Sequence, residues 1–208
     1  MKIVLSESQY NRILREEKEQ KIFRVPGLDF FHEDPREAWD ILQKVLEARS
    51  NPSYSIGGDL DLRGTPIKSL GNLTSVGGNL DLENSPIKSL GNLTTVGGFL
   101  DLRDTPIKSL GNLTSVGGDL SLLNTSFESL GNLTSVGGDL YLRGISIKSL
   151  GDLTSVGVNL DLKDTPIESL GNLQSVGRHL FLWDTPLSKK YTKEEIRKMV
   201  KVGGDIYL

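Results

Sequence analysis

The pair Gly57-Gly58 returns as Gly77-Gly78, Gly97-Gly98, Gly117-Gly118 and Gly137-Gly138, always 20 residues on. Gly157 and Gly177 keep the phase, with Val158 and Arg178 in place of the second glycine. A period this strict points to a short unit that cannot bury its own apolar face and must stack on copies of itself. In Leu80-Asp81-Leu82 the alternation puts both leucines on one side of a short strand. Four further apolar columns follow, of which Ile87, Leu90, Leu93 and Val96 are one set. Six inward side chains per unit make a core when coils stack about 4.8 Å apart. The glycine pairs suit a tight turn or a close backbone approach. Pro66, Pro86, Pro106, Pro166 and Pro186 suit the turn that leaves the strand, where no amide donor is needed. The Asn72, Asn92, Asn112 and Asn132 column is expected to hydrogen-bond turn backbone.

Aligned on Leu70, Leu73, Leu80, Leu82 and Ile87, the unit resembles the leucine-rich-repeat family in its 20-residue form, known from bacterial effectors. The resemblance covers about residues 57–187 and implies an α/β repeat: a leucine-rich-repeat solenoid with one parallel β-sheet on its concave face and helical caps. The family's asparagine after the strand is replaced by Thr65, Ser85, Thr105, Thr125, Thr165 and Thr185, whose hydroxyls can take over its backbone bonding. The ubiquitin-ligase domain that some such effectors carry needs a cysteine nucleophile, and this chain has none.

The chain divides into an amphipathic arm or helix at 1–20, a helical N-terminal cap at 21–56, seven repeats at 57–187, and a C-terminal helix and strand at 188–208. Asp34 as N-cap and Pro35 in first position open a cap helix over 35–49, with Trp39, Leu42, Val45 and Leu46 on one face. Thr192 and Glu195 form a capping box for the C-terminal helix, which is expected to turn Ile196, Met199 and Val200 inward. Gly203 to Leu208 repeats the strand after 26 residues, and this edge is a candidate for self-association. The first residues resemble the N-termini of tailed-phage proteins. Leu5-Ser6-Glu7 and Leu14-Arg15-Glu16 also fit the triplet that ends capsid-targeting peptides.

Nothing here reads as catalytic. There are two histidines, His32 and His179, far apart in the chain, and no phosphate-binding or zinc-binding motif. Leu80 stands where a calcium-binding nonapeptide repeat needs its third glycine, so no metal and no cofactor is expected. The net charge of -3 gives no basis for nucleic acid or an anionic membrane. The absence of cysteine, of a signal-peptide core and of a long apolar run fits a cytoplasmic protein.

Specificity is therefore sought in the outward strand positions. In the N-terminal half, Asp61, Asp81 and Asp101 alternate with arginines and form a secondary, acidic candidate face. Towards the C-terminus the same columns carry Leu123, Tyr141, Arg143, His179, Phe181, Trp183 and Tyr207, which the repeat's own packing does not require. These seven are the candidate partner-binding residues of a non-catalytic protein-interaction module. The phage-like N-terminus implies a host protein as target, or alternatively a packaged virion component. An ice- or surface-binding solenoid is a third class. It is set aside because Thr74-Ser75 and its copies are adjacent, so that one of each pair should point inward.

Overall fold

The computed structural model describes residues 22–28 and 34–208. Each 20-residue repeat is one coil, and the coils stack in parallel without a register shift. Leu60, Leu80, Leu100, Leu120, Leu140, Leu160, Leu180 and Ile206 form one continuous column. All six apolar columns face inward: Leu80, Leu82, Ile87, Leu90, Leu93 and Val96 are fully buried, as are nearly all their counterparts. The N-terminal copy Ile67 is partly buried.

Two parallel sheets run the length of the solenoid. The expected one has eight strands, from Leu60–Asp61 to Ile206–Tyr207; we call it the Leu-Asp sheet. A second, nine-stranded sheet is built on the Ser-Val pairs from Ser115–Val116 to Ser175–Val176 and their equivalents. Between the two, the glycine pair lets successive coils touch. A Cβ on Gly97 would overlap the carbonyl oxygen of Gly77, and the same holds for Gly117 over Gly97. Close approach, rather than a left-handed φ, is what these positions require. Positive φ falls elsewhere, at Gly71 and its copies and at the turn after the Leu-Asp strand, where Asn84, Asp104 and Asn124 tolerate it.

Polar side chains complete the stack in three ways. Thr94 Oγ1 donates to Thr74 O at 2.9 Å, and Thr114, Thr134 and Thr154 each repeat this bond to the coil before. Because Leu73 and Val76 take the inward positions, neither Thr74 nor Ser75 is buried. The alternation expected to turn one of them inward does not hold. The hydroxyls that follow the Leu-Asp strand act within one coil: Thr65 Oγ1 donates to Leu62 O and Thr105 Oγ1 to Leu102 O. The asparagine column is mixed, since Asn72 and Asn112 reach backbone carbonyls while Asn92 reaches the side chain of Asn72.

At the N-terminal end, helix α1 (Pro35–Glu47) is capped by Asp34, which accepts from the amides of Arg36 and Glu37. Trp39, Leu42, Val45 and Leu46 are buried in the common core, as its apolar face requires. The strand Phe23–Val25, which has no repeat signature, pairs with Tyr54–Ile56 and adds a further rung. The expected arm or helix at residues 1–20 and His32 lie outside the described residues.

At the other end, α2 (Pro186–Lys190) opens on a Thr185–Ser188 capping box and α3 (Lys193–Met199) on the expected Thr192–Glu195 box. Ile196 and Val200 are buried, but Met199 is 47% exposed, contrary to expectation. The helix ends at Met199, and the extended backbone of Val200 then fills the inward place that a further helical turn would have shared. Arg197 from α3 donates to the carbonyls of Val202 (2.9 Å) and Gly204 (2.6 Å). In the preceding coil the matching carbonyls of Val176 and Arg178 accept amides from the coil above.

This packing predicts that Leu120→Asp abolishes folding, because it sets an unpaired carboxylate inside a leucine column at a cost of several kcal/mol. Circular dichroism checks it, and a soluble variant with native ellipticity would show the inward assignment to be wrong.

Candidate functional site on the outer face of the Leu-Asp sheet

The outer face of the Leu-Asp sheet has three outward columns. The first begins Asp59, Asn79, and has a structural task. Asp59 Oδ1 accepts the amide of Asn79 (2.7 Å), and Asn79 Oδ1 accepts that of Phe99 (2.9 Å). Asp119, Asp139 and Asn159 serve Asp139, Asn159 and His179 in the same way. His179 continues the ladder with Nδ1, which accepts the Asp205 amide at 3.0 Å and so places the neutral ring's proton on Nε2. Phe99 has no acceptor and interrupts the ladder: the amide of Asp119 finds no partner among the described residues.

The second and third columns hold the charges. Asp61 is paired with Arg63 at 2.7 Å, and this guanidinium holds its carboxyl below the usual carboxylate range. Asp81 behaves in the opposite way. Burial pushes its carboxyl up, the Asp101 carboxylate adds to this, and the Glu83 amide and Arg63 at 3.3 Å offset it only in part. Asp101 binds Arg103 at 2.6 Å, and Arg103 also reaches Glu83 at 3.1 Å. The carboxylates of Asp81, Glu83 and Asp101 lie within 4.8 Å of one another. A cation could be held there, but the guanidinium of Arg103 already lies against two of the three and that of Arg63 against the third.

Of the seven candidate partner-binding residues, the structure brings four together. Phe181 and Tyr207 stack with ring centroids 4.8 Å apart, Trp183 meets Tyr207 edge-on at 5.5 Å, and His179 lies 5.8 Å from Tyr207. Lys163 Nζ sits 4.7 Å from the Phe181 ring centre and 4.8 Å from that of Trp183. Trp183 keeps 42% of its surface exposed. Arg143 is engaged with Asp164 at 3.0 Å. Tyr141 and Leu123 stand apart from the rings, on a notch of about 390 Å³ that they share with Phe99, Ser121, Asp119, Asp101, Asp81 and Arg103. The Tyr141 hydroxyl donates to Asp139 at 2.8 Å, and this bond pushes the phenol up to about 12.

Phe99 is the residue that the reading of the sequence left out of the site, although its departure from an Asp/Asn column was visible. On the remaining edge, Lys108 and Lys148 pair with Glu128 (3.2 Å) and Glu168 (3.9 Å) of the next coil. The strand Ile206–Tyr207 lies at the outer end of its sheet. Among the described residues, no helix is long and apolar enough to cross a membrane. No family model, no curated protein and no solved structure matches the chain.

The two aspartates should respond to pH with opposite signs. Asp81, raised above its unfolded value, contributes most favourably in acid and loses that contribution as pH rises through its native value. Asp61, lowered, stabilises the fold above the unfolded value of about 3.9 and loses this as pH falls through its native value. Asp81→Asn should therefore melt no lower than wild type at pH 7, with any gain vanishing in acid. Asp61→Asn should melt lower at pH 7, with the deficit closing in acid. Thermal melts from pH 7 to pH 3 test both, and a shared sign would contradict the assignment.

Proposed function

We propose that this chain is a non-catalytic protein-binding module whose partner docks on the outer face of the Leu-Asp sheet. The observation that carries this reading is the cluster of Phe181, Trp183 and Tyr207. These rings sit at outward positions where other coils carry aspartate, arginine or lysine, and Trp183 keeps 42% of its surface exposed. The buried core beneath them is continuous without these rings. Exposed aromatic groups of this kind are what interfaces concentrate their binding energy on. Helix α3 has its main contacts with the Lys201–Val202 strand, which belongs to the other sheet.

A non-catalytic role is supported by how the reactive groups are engaged. His179 is committed through Nδ1 to a backbone amide, and Asp61 and Asp101 are committed to arginines. The resemblance of the N-terminus to tailed-phage proteins supports a host protein as target. The Leu-x-Glu triplets in the same segment favour a second reading, a packaged virion component addressed by that segment.

The test is Phe181→Ala combined with Trp183→Ala. Outward rings contribute little to the leucine columns, whereas interface aromatics can carry roughly 2 kcal/mol or more each. The double variant should keep the wild-type melting temperature and lose partner capture. Early unfolding would make the rings part of the C-terminal cap, and a folded variant that still captures its partner would move the site away from them.

A further inference from the structure

Three departures from the repeat meet in the notch at the middle of the Leu-Asp sheet. Phe99 replaces an Asp or Asn that would accept the next coil's amide, and it leaves the Asp119 amide without a partner among the described residues. Ser121 replaces the aspartate found at 61, 81 and 101, which opens the floor. Its hydroxyl has no hydrogen-bond partner among the described residues. Leu123 replaces the arginine or glutamate of its column, and Tyr141 stands above with its hydroxyl held by Asp139. In a solenoid the repeated residue already satisfies the stack, so a departure that loses a hydrogen bond and exposes an apolar ring (Phe99 is 38% exposed) needs a reason outside the fold.

The charges say what fits. Three carboxylates, Asp81, Asp101 and Asp119, line the notch; Arg63 and Arg103 pair with the first two, which leaves Asp119 as the one with no cation beside it among the described residues. Arg103 is itself bound to Asp101 and Glu83. Asp119 uses Oδ1 for the Asp139 amide and has Oδ2 free among the described residues. Apolar and aromatic walls with an acidic rim suit a long side chain with an aliphatic or planar body and a cationic end. Arginine is that side chain: it stacks on aromatic faces and donates to carboxylates at once. The aromatic cluster at Phe181 lies three coils from Ser121, about 14 Å away at the spacing of paired strands. Four residues of extended peptide span about the same distance.

We infer that the notch lined by Phe99, Ser121, Leu123, Tyr141 and Asp119 receives an arginine side chain of an extended partner segment running along the solenoid. The same segment places a large apolar residue, four positions from that arginine, on the Phe181–Trp183–Tyr207 cluster. This inference rests on the proposed use of the Leu-Asp face and adds the chemistry of what docks there.

The probe is a fluorescein-labelled Gly/Ser peptide carrying arginine and leucine four positions apart, titrated with the full chain in fluorescence polarisation. Control peptides replace the arginine by glutamate or the leucine by serine. Two protein variants separate charge from shape. Asp119→Asn keeps the backbone bond, as Asn79 and Asn159 do in the same column. Ser121→Phe fills the notch at a position where Tyr141 and Phe181 are already accommodated.

The arginine-leucine peptide should bind wild type about tenfold or more tightly than either control, a difference of about 1.4 kcal/mol. Each protein variant should remove the preference for arginine and leave the preference for leucine. If the glutamate peptide binds as well as the parent, or both variants keep the preference for arginine, the notch assignment is overturned. The reading of the face as a whole survives that result if binding still depends on leucine and on Phe181. If no peptide binds, the inference falls as well, and the face then stands or falls with the aromatic double variant and the partner itself.

Discussion

The structure depends on one constraint, that every residue must be able to sit directly above its copy 20 positions earlier. Parallel pairing of the repeats carries strand amides to the neighbouring coil, for example from Leu100 to Asp119 and from Leu120 to Asp139. Side chains then stack on side chains of the same kind. Leucine on leucine and valine on valine fill a continuous core. Threonine over threonine gives a hydroxyl ladder, and Asp/Asn over Asp/Asn gives a ladder of amide acceptors. Glycine on glycine brings two backbones closer than any Cβ would permit. The caps obey the same rule by supplying what a missing coil would have supplied, as Arg197 does for the carbonyls of Val202 and Gly204.

Much of this was legible in the sequence, because a stacked column must show itself as a repeated letter. The six inward columns, the cap helix with Trp39 inward and the Thr192–Glu195 box could all be read directly. The second sheet could not, since Ser-Val pairs lack the apolar alternation that marks Leu-Asp-Leu as a strand. The strand Phe23–Val25 was hidden because it borrows its pairing from the first coil and repeats nothing. Met199 was misplaced because the chain leaves the helix right after it, and the extended Val200 takes the inward place next to Ile196. The roles of Asp119 and His179 were also hidden. Outward position alone cannot distinguish a side chain free for a partner from one that already holds its neighbour's amide.

That distinction reorganises the candidate site. His179 contributes a ring edge to the aromatic cluster, yet its first task is to continue the amide-acceptor ladder. Arg143 is tied to the next turn through Asp164. What remains without a structural task is more confined: the rings of Phe181, Trp183 and Tyr207 at one end, and Phe99, Leu123 and Tyr141 around the small Ser121 in the middle. Asp81 and Asp101 are buried beneath their arginines, whereas exposed pairs such as Asp61–Arg63 and Arg143–Asp164 are worth little to stability, about 0–1 kcal/mol each. Such pairs can instead tune the approach and orientation of a charged partner.

The proposed site therefore depends on an acceptor ladder that is complete where the column holds Asp, Asn or His and broken at Phe99. Residue-resolved hydrogen–deuterium exchange of the native protein measures this directly. The amides of Phe99, Asp139, Asn159, His179 and Asp205, each bonded to the side chain one coil earlier, should exchange slowly. The amide of Asp119, above Phe99, should exchange markedly faster than that of Asp139 in the same sheet. Equal protection at Asp119 and Asp139 would contradict the account, because Phe99 would then cost the fold nothing and its departure from the repeat would mark no site.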